Sequence, residues 1–144
     1  MGAGHPESPE RLDVIEDRLL MTGVFDGVER MEAPQAAIGD VELAHDRMHV
    51  AALRGLTDRL VEEQAAGGPE YTQIDTDTAI NAHTLTAALH AAGAAVAATD
   101  AVLDGTLENA FCAIRPPLAL IPISEPTGHS RRAYAGGCWK KKGG

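Results

Sequence analysis

Residues 81–117 read NAHTLTAALHAAGAAVAATDAVLDGTLENAFCAIRPP: a long run of small residues, a stop, then a short apolar run ending in two prolines. Leu85, Leu89, Val96 and Leu103 lie near helical spacing, so 82–104 is expected to be a helix with those side chains along one face. Gly105 supplies the stop, and Gly93 inside the helix calls for close packing against a sheet or another helix. Residues 110–115 then have the continuous apolar character of a strand inside a parallel sheet. Helix followed by buried strand is half of an α/β unit. One such strand cannot make a sheet, so the sheet is expected to be incomplete, with one or two short parallel strands.

Working outward, SPERLDVIEDRLLMTG at 8–23 carries strong helix punctuation. Ser8 suits an N-cap, Pro9 the first helical position and Gly23 the stop. Leu12, Ile15, Leu19 and Leu20 fall on one face, which predicts a helix over 9–22. VERMEA at 28–33 is short enough to be a strand. A second helical region runs from about Asp40 to Gln64, most of it within 47–65, with a stripe at Leu53, Leu56 and Leu60. Gly67-Gly68-Pro69 then breaks the pattern.

The chain has 144 residues, enough for one domain, and 44% of them are hydrophobic. Alanine supplies much of that fraction, and only Phe25, Tyr71, Phe111, Tyr134 and Trp139 are aromatic. A core resting on alanine gains little from each residue buried, which predicts marginal stability for these residues alone. The net charge of −9 is unevenly spread. Residues 1–114 hold 6 basic and 20 acidic side chains, residues 115–144 hold 6 basic and 1 acidic. The acidic body argues against a basic nucleic-acid-binding face. Cys112 and Cys138 are too few and too far apart in sequence for a disulfide framework or a Cys-rich zinc site, and Cys112 reads as a reduced, buried thiol. No signal-peptide pattern opens the sequence, and no apolar stretch of spanning length is expected. MGAGHP lacks the Ser or Thr that myristoylation favours. The expected setting is soluble and cytoplasmic, away from membranes.

Three groups of polar residues invite chemical readings. HDRMH, His45 to His49, sets two imidazoles one turn apart if helical, as in the zinc-binding H-E-x-x-H arrangement. Asp46 stands where that arrangement has Glu, and its shorter arm would struggle to reach a metal-bound water, so rim histidines are the favoured reading. His83 and His90 lie two turns apart on the alanine-rich helix and read as ordinary helix-face residues. Asp75 and Asp77 flank Thr76 without the glycine and terminal Glu of a calcium loop. A loop feeding a helix N-terminus accounts for them.

Read together, GHPESPER at 4–11, DTDTAINAHTLTAALHAAGAAVAATDAVLDG at 75–105 and AFCAIRPP at 110–117 resemble the histone deacetylase superfamily. The likeness covers about residues 4–117 and is nearest to the bacterial class II-like amidohydrolases and acetylpolyamine amidohydrolases. It implies a partial three-layer αβα arginase/deacetylase-like fold and, in the full-length family, zinc-dependent hydrolysis of the acetyl amide of acetyl-lysine or acetylpolyamines. In that family RPP is followed by Gly-His-His, whose histidines act as general base and proton shuttle. Two Asp and a His further on bind zinc, and a late Tyr steadies the oxyanion. Amide hydrolysis at neutral pH needs such polarisation, activated water and proton transfer. Here Leu118 and Ala119 stand near the place of the tandem histidines, and neither the later zinc-ligand motifs nor the Tyr motif follows. The family's first strand, before GHPE, is missing too.

The expectation is therefore about a third of a catalytic domain at 1–117, with no intact catalytic residues, no zinc bound and no activity of its own. By resemblance, Arg11 matches the arginine lining an internal channel behind the metal, where acetate can be met. Arg115, Pro116 and Pro117 match the segment that shapes the active-site floor. Arg11 pairing with an acid, and prolines merely stiffening a loop, remain the plain alternatives. The stretch LALIPISEPTGHSRR at 118–132 is similar to LSLIHISEPTR, one reading frame of a transposon-based sequencing adapter, and the charge jump falls at the same place. Residues 118–144 are accordingly expected to be unrelated, disordered, and either translated adapter or misassembled sequence. A natural basic tail in which KKKGG meets an acidic partner is the alternative. Two other classes stay open: a small acidic, non-catalytic module binding a basic partner, and a small metalloprotein using His45 and His49. Oligomeric state is not legible.

Overall fold

The computed structural model describes residues 10–76, 78–115 and, as backbone, 136–141. Helix α1 is Glu10–Met21. Glu10 and Asp13 in its first turn complement the positive end of the helix dipole. It ends where Gly23 takes a left-handed φ of 70°, a conformation that glycine reaches without a Cβ clash. The proposed Ser8 cap and Pro9 start lie outside the described residues. A short 3-10 turn at Val24–Gly27 leads into strand β1, Val28–Met31, where a strand was expected.

Residues 32–37 form an extended strap into helix α2, Ile38–Glu42, and then helix α3, Arg47–Ala65. The helical region expected from about Asp40 is thus two helices, the longer one over the expected 47–65. Asp46 is the reason for the break: its carboxylate accepts hydrogen bonds from Met48 N at 2.8 Å and His49 N at 3.3 Å, capping α3. Such a cap satisfies two of the amides that a helix start leaves without partners. Along α3, Thr57 and Leu60 are buried and Leu53 and Leu56 half-buried, so the expected stripe does face inward.

Strands β2, Tyr71–Gln73, and β3, Ala79–Asn81, make an antiparallel hairpin. Ile74 N donates to Thr78 O at 2.8 Å across its turn. Asp75 sits in that turn, not at a helix N-terminus as the sequence suggested; Asp77 lies outside the described residues. Helix α4, Thr84–Leu103, follows. Its entrance is held by Asn81, whose side-chain oxygen accepts from His83 N at 2.9 Å and from the Thr84 hydroxyl at 3.0 Å. Strand β4 is Ala110–Ile114 and strand β5 is Gly136–Lys141.

Two expectations about the sheet need correction. The described strands number five, and every pairing among them is antiparallel. The main sheet runs β1-β5-β4, so β1 and β4 do run parallel to each other but flank a strand of the opposite direction. The central strand comes from within 118–144, the stretch expected to be disordered; the rest of that stretch lies outside the described residues.

Helix α4 lies on β4 and beneath the strap. Its buried face is Ala88, Ala91, Gly93, Ala94 and Ala98. Leu85 and Leu89 are half-buried at its margins, while Val96 and Leu103 are exposed. The inner face is therefore the small-residue face, and the leucine spacing misplaced it. Gly93 does mark a close approach, but to the strap: a Cβ there would overlap the Pro34 carbonyl oxygen and come within 2.7 Å of Ala36 N. By length and composition α4 could cross a membrane, with a mean hydropathy of 1.3 over 18 residues. This corrects the expectation that no such stretch occurs. In the fold its small face is spent on protein contacts.

Among the described residues, two clusters of buried side chains pack around α4. Ala36, Val41 and Val50 gather with Ile38, Leu89 and Ala92 under the strap. Ala91, Ala94 and Ile114 gather with Ala33 and Cys112 where α4 meets β4.

Candidate functional site

Strand β4 delivers the segment that matters for the deacetylase likeness. Ile114, fully buried, anchors its end against Ala91 and Ala94 of α4, and Arg115 follows half-buried. Helix α1, which carries Arg11 in its first turn, packs against β4. The fold thus brings the element bearing Arg11 beside the strand that leads into Arg115. Both arginines engage other groups of the protein. Pro116, Pro117, Leu118 and Ala119 lie outside the described residues.

The histidines separate into two kinds. His45 precedes α3, and His49 is in its first turn, with ring centres 6.3 Å apart and planes tilted by 35°. They are not one turn apart on a common helix, because Asp46 between them starts that helix. Asp46 spends its carboxylate on backbone amides, so it is not poised as a base. The His49 Nε2 is buried without a hydrogen-bond partner among the described residues. His83 is exposed at the start of α4.

His90 is different. One ring nitrogen, Nδ1, lies 2.7 Å from Ala33 O, and Nε2 lies 3.2 Å from Gln35 Nε2. Since a carbonyl only accepts, Nδ1 carries the proton, and Nε2 accepts from the Gln35 amide. Ala36 N donates to Leu89 O at 2.9 Å beside it. His90 is therefore a clamp that ties the strap to α4, not an ordinary helix-face residue. Sequence reasoning missed it because Ala33 lies 57 residues earlier. Asp46, by contrast, carried a readable signal: an Asp directly before a periodic run.

The resemblance to histone deacetylases implies zinc, which takes four nitrogen, sulfur or oxygen donors in a tetrahedron. Among the described residues, no group of three or more His, Cys, Asp or Glu side chains could hold a metal ion. Two imidazoles sharing a tetrahedral zinc, each nitrogen about 2.0–2.1 Å from it, would have ring centres about 5 Å apart. His45 and His49 are farther apart than that. The described donors do not fit zinc.

With this geometry in view, the comparisons with known proteins define the class. The histone deacetylase domain model matches residues 5–119, and the chain belongs to the histone deacetylase family. A probable deacetylase of Archaeoglobus fulgidus is 35% identical over 134 residues, covering 92% of this chain and 32% of the relative. A histone deacetylase-like amidohydrolase of Pseudomonas aeruginosa is 33% identical over 115 residues, covering 80% of this chain and 28% of its own. A human polyamine deacetylase is 32% identical, covering 91% of this chain and 18% of its own. The chain thus spans about a third or less of the length of these relatives. The archaeal match, at 92% of the chain, extends past residue 119, where the domain match ends.

Proposed function

We propose that residues 1–117 correspond to the N-terminal part of a zinc-dependent amide hydrolase that removes acetyl groups from acetyl-lysine or acetylpolyamines. We also propose that the 144-residue chain does not itself catalyse this reaction. The observation that carries the second statement is the identity of two residues. Leu118, Ala119 and Leu120 follow Arg115-Pro116-Pro117 where the family has Gly-His-His, and neither Ala119 nor Leu120 can accept or donate a proton. Loss of proton transfer alone typically costs about 10²–10⁴-fold. Zinc, where the family binds it, polarises the scissile carbonyl and activates water. The described donors do not fit it, so no step is assigned to it here. In this reading Arg11 belongs to a channel wall and Arg115 to the floor, within a three-layer αβα arrangement in the cytoplasm.

The test is hydrolysis of a fluorogenic acetyl-lysine peptide and of an acetylpolyamine by the purified chain, with and without zinc. A full-length relative serves as positive control. Turnover that a chelator abolishes and zinc restores would overturn the inactive reading. Replacing Leu118, Ala119 and Leu120 by Gly, His and His after Pro117 is expected to give no activity, because zinc ligands would still be lacking.

Residues 118–144 are proposed to have an origin separate from 1–117, supported by the charge jump and the adapter likeness. The pairing of Gly136–Lys141 with β1 and β4, and the reach of the archaeal match, point the other way. Resequencing the gene across codon 117 decides. Independent reads that continue into Leu118-Ala119 would remove the proposal, and reads that continue into Gly-His-His would support it.

A further inference from the structure

Aspartate followed by glycine occurs twice in the chain, at Asp26-Gly27 and Asp104-Gly105. A glycine in second place brings no Cβ to hinder its amide nitrogen from attacking the aspartate side chain. Both dipeptides therefore carry similar intrinsic reactivity. Exposure does not separate them, since all four residues are exposed. Their hydrogen bonds do. The Asp104 carboxylate accepts from Thr106 N at 2.8 Å and is held by the Thr106 hydroxyl as well. Gly105 N donates to Val102 O at 3.3 Å, and buried Leu107 fastens the loop through its N–H to Ala101 O at 2.8 Å. The group to be attacked and the attacking nitrogen are thus both engaged. Asp26 lies in the 3-10 turn Val24–Gly27, which buries no residue and has no side-chain cap. Its carboxyl has no hydrogen bond or ion pair among the described residues. Its own N–H makes a long bond of 3.3 Å to Gly23 O. Such a turn opens at little cost, whereas the loop after α4 must first release a buried leucine. We propose that Asp26 is a site of spontaneous modification, where the backbone isomerises to isoaspartate, and that the fold protects Asp104.

In the first step Gly27 N attacks Cγ of the Asp26 carboxyl in its acid form. The new C–N bond closes a succinimide ring, and the departing hydroxyl leaves with the amide proton as water. Water then adds to either imide carbonyl. Addition at the side-chain carbonyl restores aspartate. Addition at the main-chain carbonyl breaks the original Asp26–Gly27 peptide bond and leaves isoaspartate. Water lost in the first step is regained in the second, and no oxidant or reductant is needed. The main chain then runs through the Asp26 side chain, longer by a methylene, with the α-carboxylate as a branch. That insertion falls just ahead of Val28, where β1 begins.

The experiment incubates the full chain at neutral pH and body temperature for several weeks. Peptide mapping with electron-transfer fragmentation reads isoaspartate at each site. The expected result is accumulation at 26 at least about tenfold faster than at 104, the mark of unequal local opening. In strong denaturant the two rates should converge, since both dipeptides are then open. Gly27→Ala, at a position where a Cβ meets nothing within 4 Å, should suppress the product at 26 by at least about tenfold through crowding at the nitrogen. Equal rates under native conditions, a ratio that persists in denaturant, or undiminished product in Gly27→Ala would each overturn the proposal. If that variant fails to fold, the unaltered chain still decides through its native and denatured ratios.

Discussion

Helices α1 and α4 both carry an apolar stripe in the sequence and both lie against β4, yet they are held very differently. Helix α1 has no buried residue; Leu12, Ile15 and Leu19 are half-covered, and Leu20 is 54% exposed. It is tied to β1 by the exposed Glu16–Arg30 ion pair at 3.1 Å, a contact worth about 0–1 kcal/mol in general. Helix α4 buries five residues between the strap and β4. None of the five is larger than alanine. The difference teaches that fit, more than side-chain size, sets which helix is locked: backbone-to-backbone approach holds α4 where larger side chains leave α1 loosely attached.

The sharpest way to break that comparison is at the place where α4 meets β4. Ile114 is fully buried, so Ile114→Ala should cost about 2–5 kcal/mol, the usual range for emptying a core site. Leu20→Ala on α1 should stay within about 0.5 kcal/mol. Urea denaturation midpoints measure both. Equal losses would show that α1 is as firmly held as α4.

A second pair of substitutions tests close approach with the same chemical change at two glycines. Gly93→Ala pushes a methyl into the Pro34 carbonyl and should destabilise by about 1–3 kcal/mol, as overpacking does. Gly55, in α3, has nothing within 4 Å of where its Cβ would lie. Gly55→Ala should therefore stabilise by about 0.5–1 kcal/mol, the helix-interior cost of glycine. Thermal melts of the two variants should move in opposite directions. Shifts of the same sign would sink the strap contact.

The smallest expected effect is electrostatic and sits just past α4. The Asp104 carboxyl is held below the usual aspartate range by the Thr106 hydroxyl and then by the Thr106 backbone N–H, which donates at 2.8 Å. A lowered folded-state pKa means a stabilising contribution that is complete above the unfolded-state pKa. It disappears as pH falls through the folded value. Carboxyl NMR titration should give Asp104 a midpoint below that of other exposed aspartates, and Thr106→Val should raise it. An unchanged midpoint in that variant would remove the Thr106 hydroxyl as a cause and leave the backbone N–H.

Much of this was legible in the chain and some was not, for physical reasons that differ by residue. The helices expected over 9–22, 47–65 and 82–104 are Glu10–Met21, Arg47–Ala65 and Thr84–Leu103. The strand expected at 110–115 is Ala110–Ile114. These elements are set by caps, stops and local periodicity. The leucine spacing in α4 points to the wrong face, because the tight fit that only Ala and Gly allow decides which side lies inward. The pairing of β1 with Gly136–Lys141 joins strands far apart in sequence, and nothing local in VERM announces such a partner. Likewise Arg11 and Arg115 were singled out through the family likeness alone. That α1 lies against β4 is a property of the fold.

The strap has a consequence for how the chain is made. Ala33 and Gln35 leave the ribosome well before the His90 that clamps them, and 57 residues separate Ala33 from its partner. At about 5–20 residues per second, translation would take roughly 3–11 s to supply that partner. During that interval the strap has α1 and β1 behind it but no surface to close on. The order of synthesis thus places the closing of this part of the molecule after α4 has formed, and a pause in translation between the two would lengthen the time for which Ala36 and Val41 stand open to solvent.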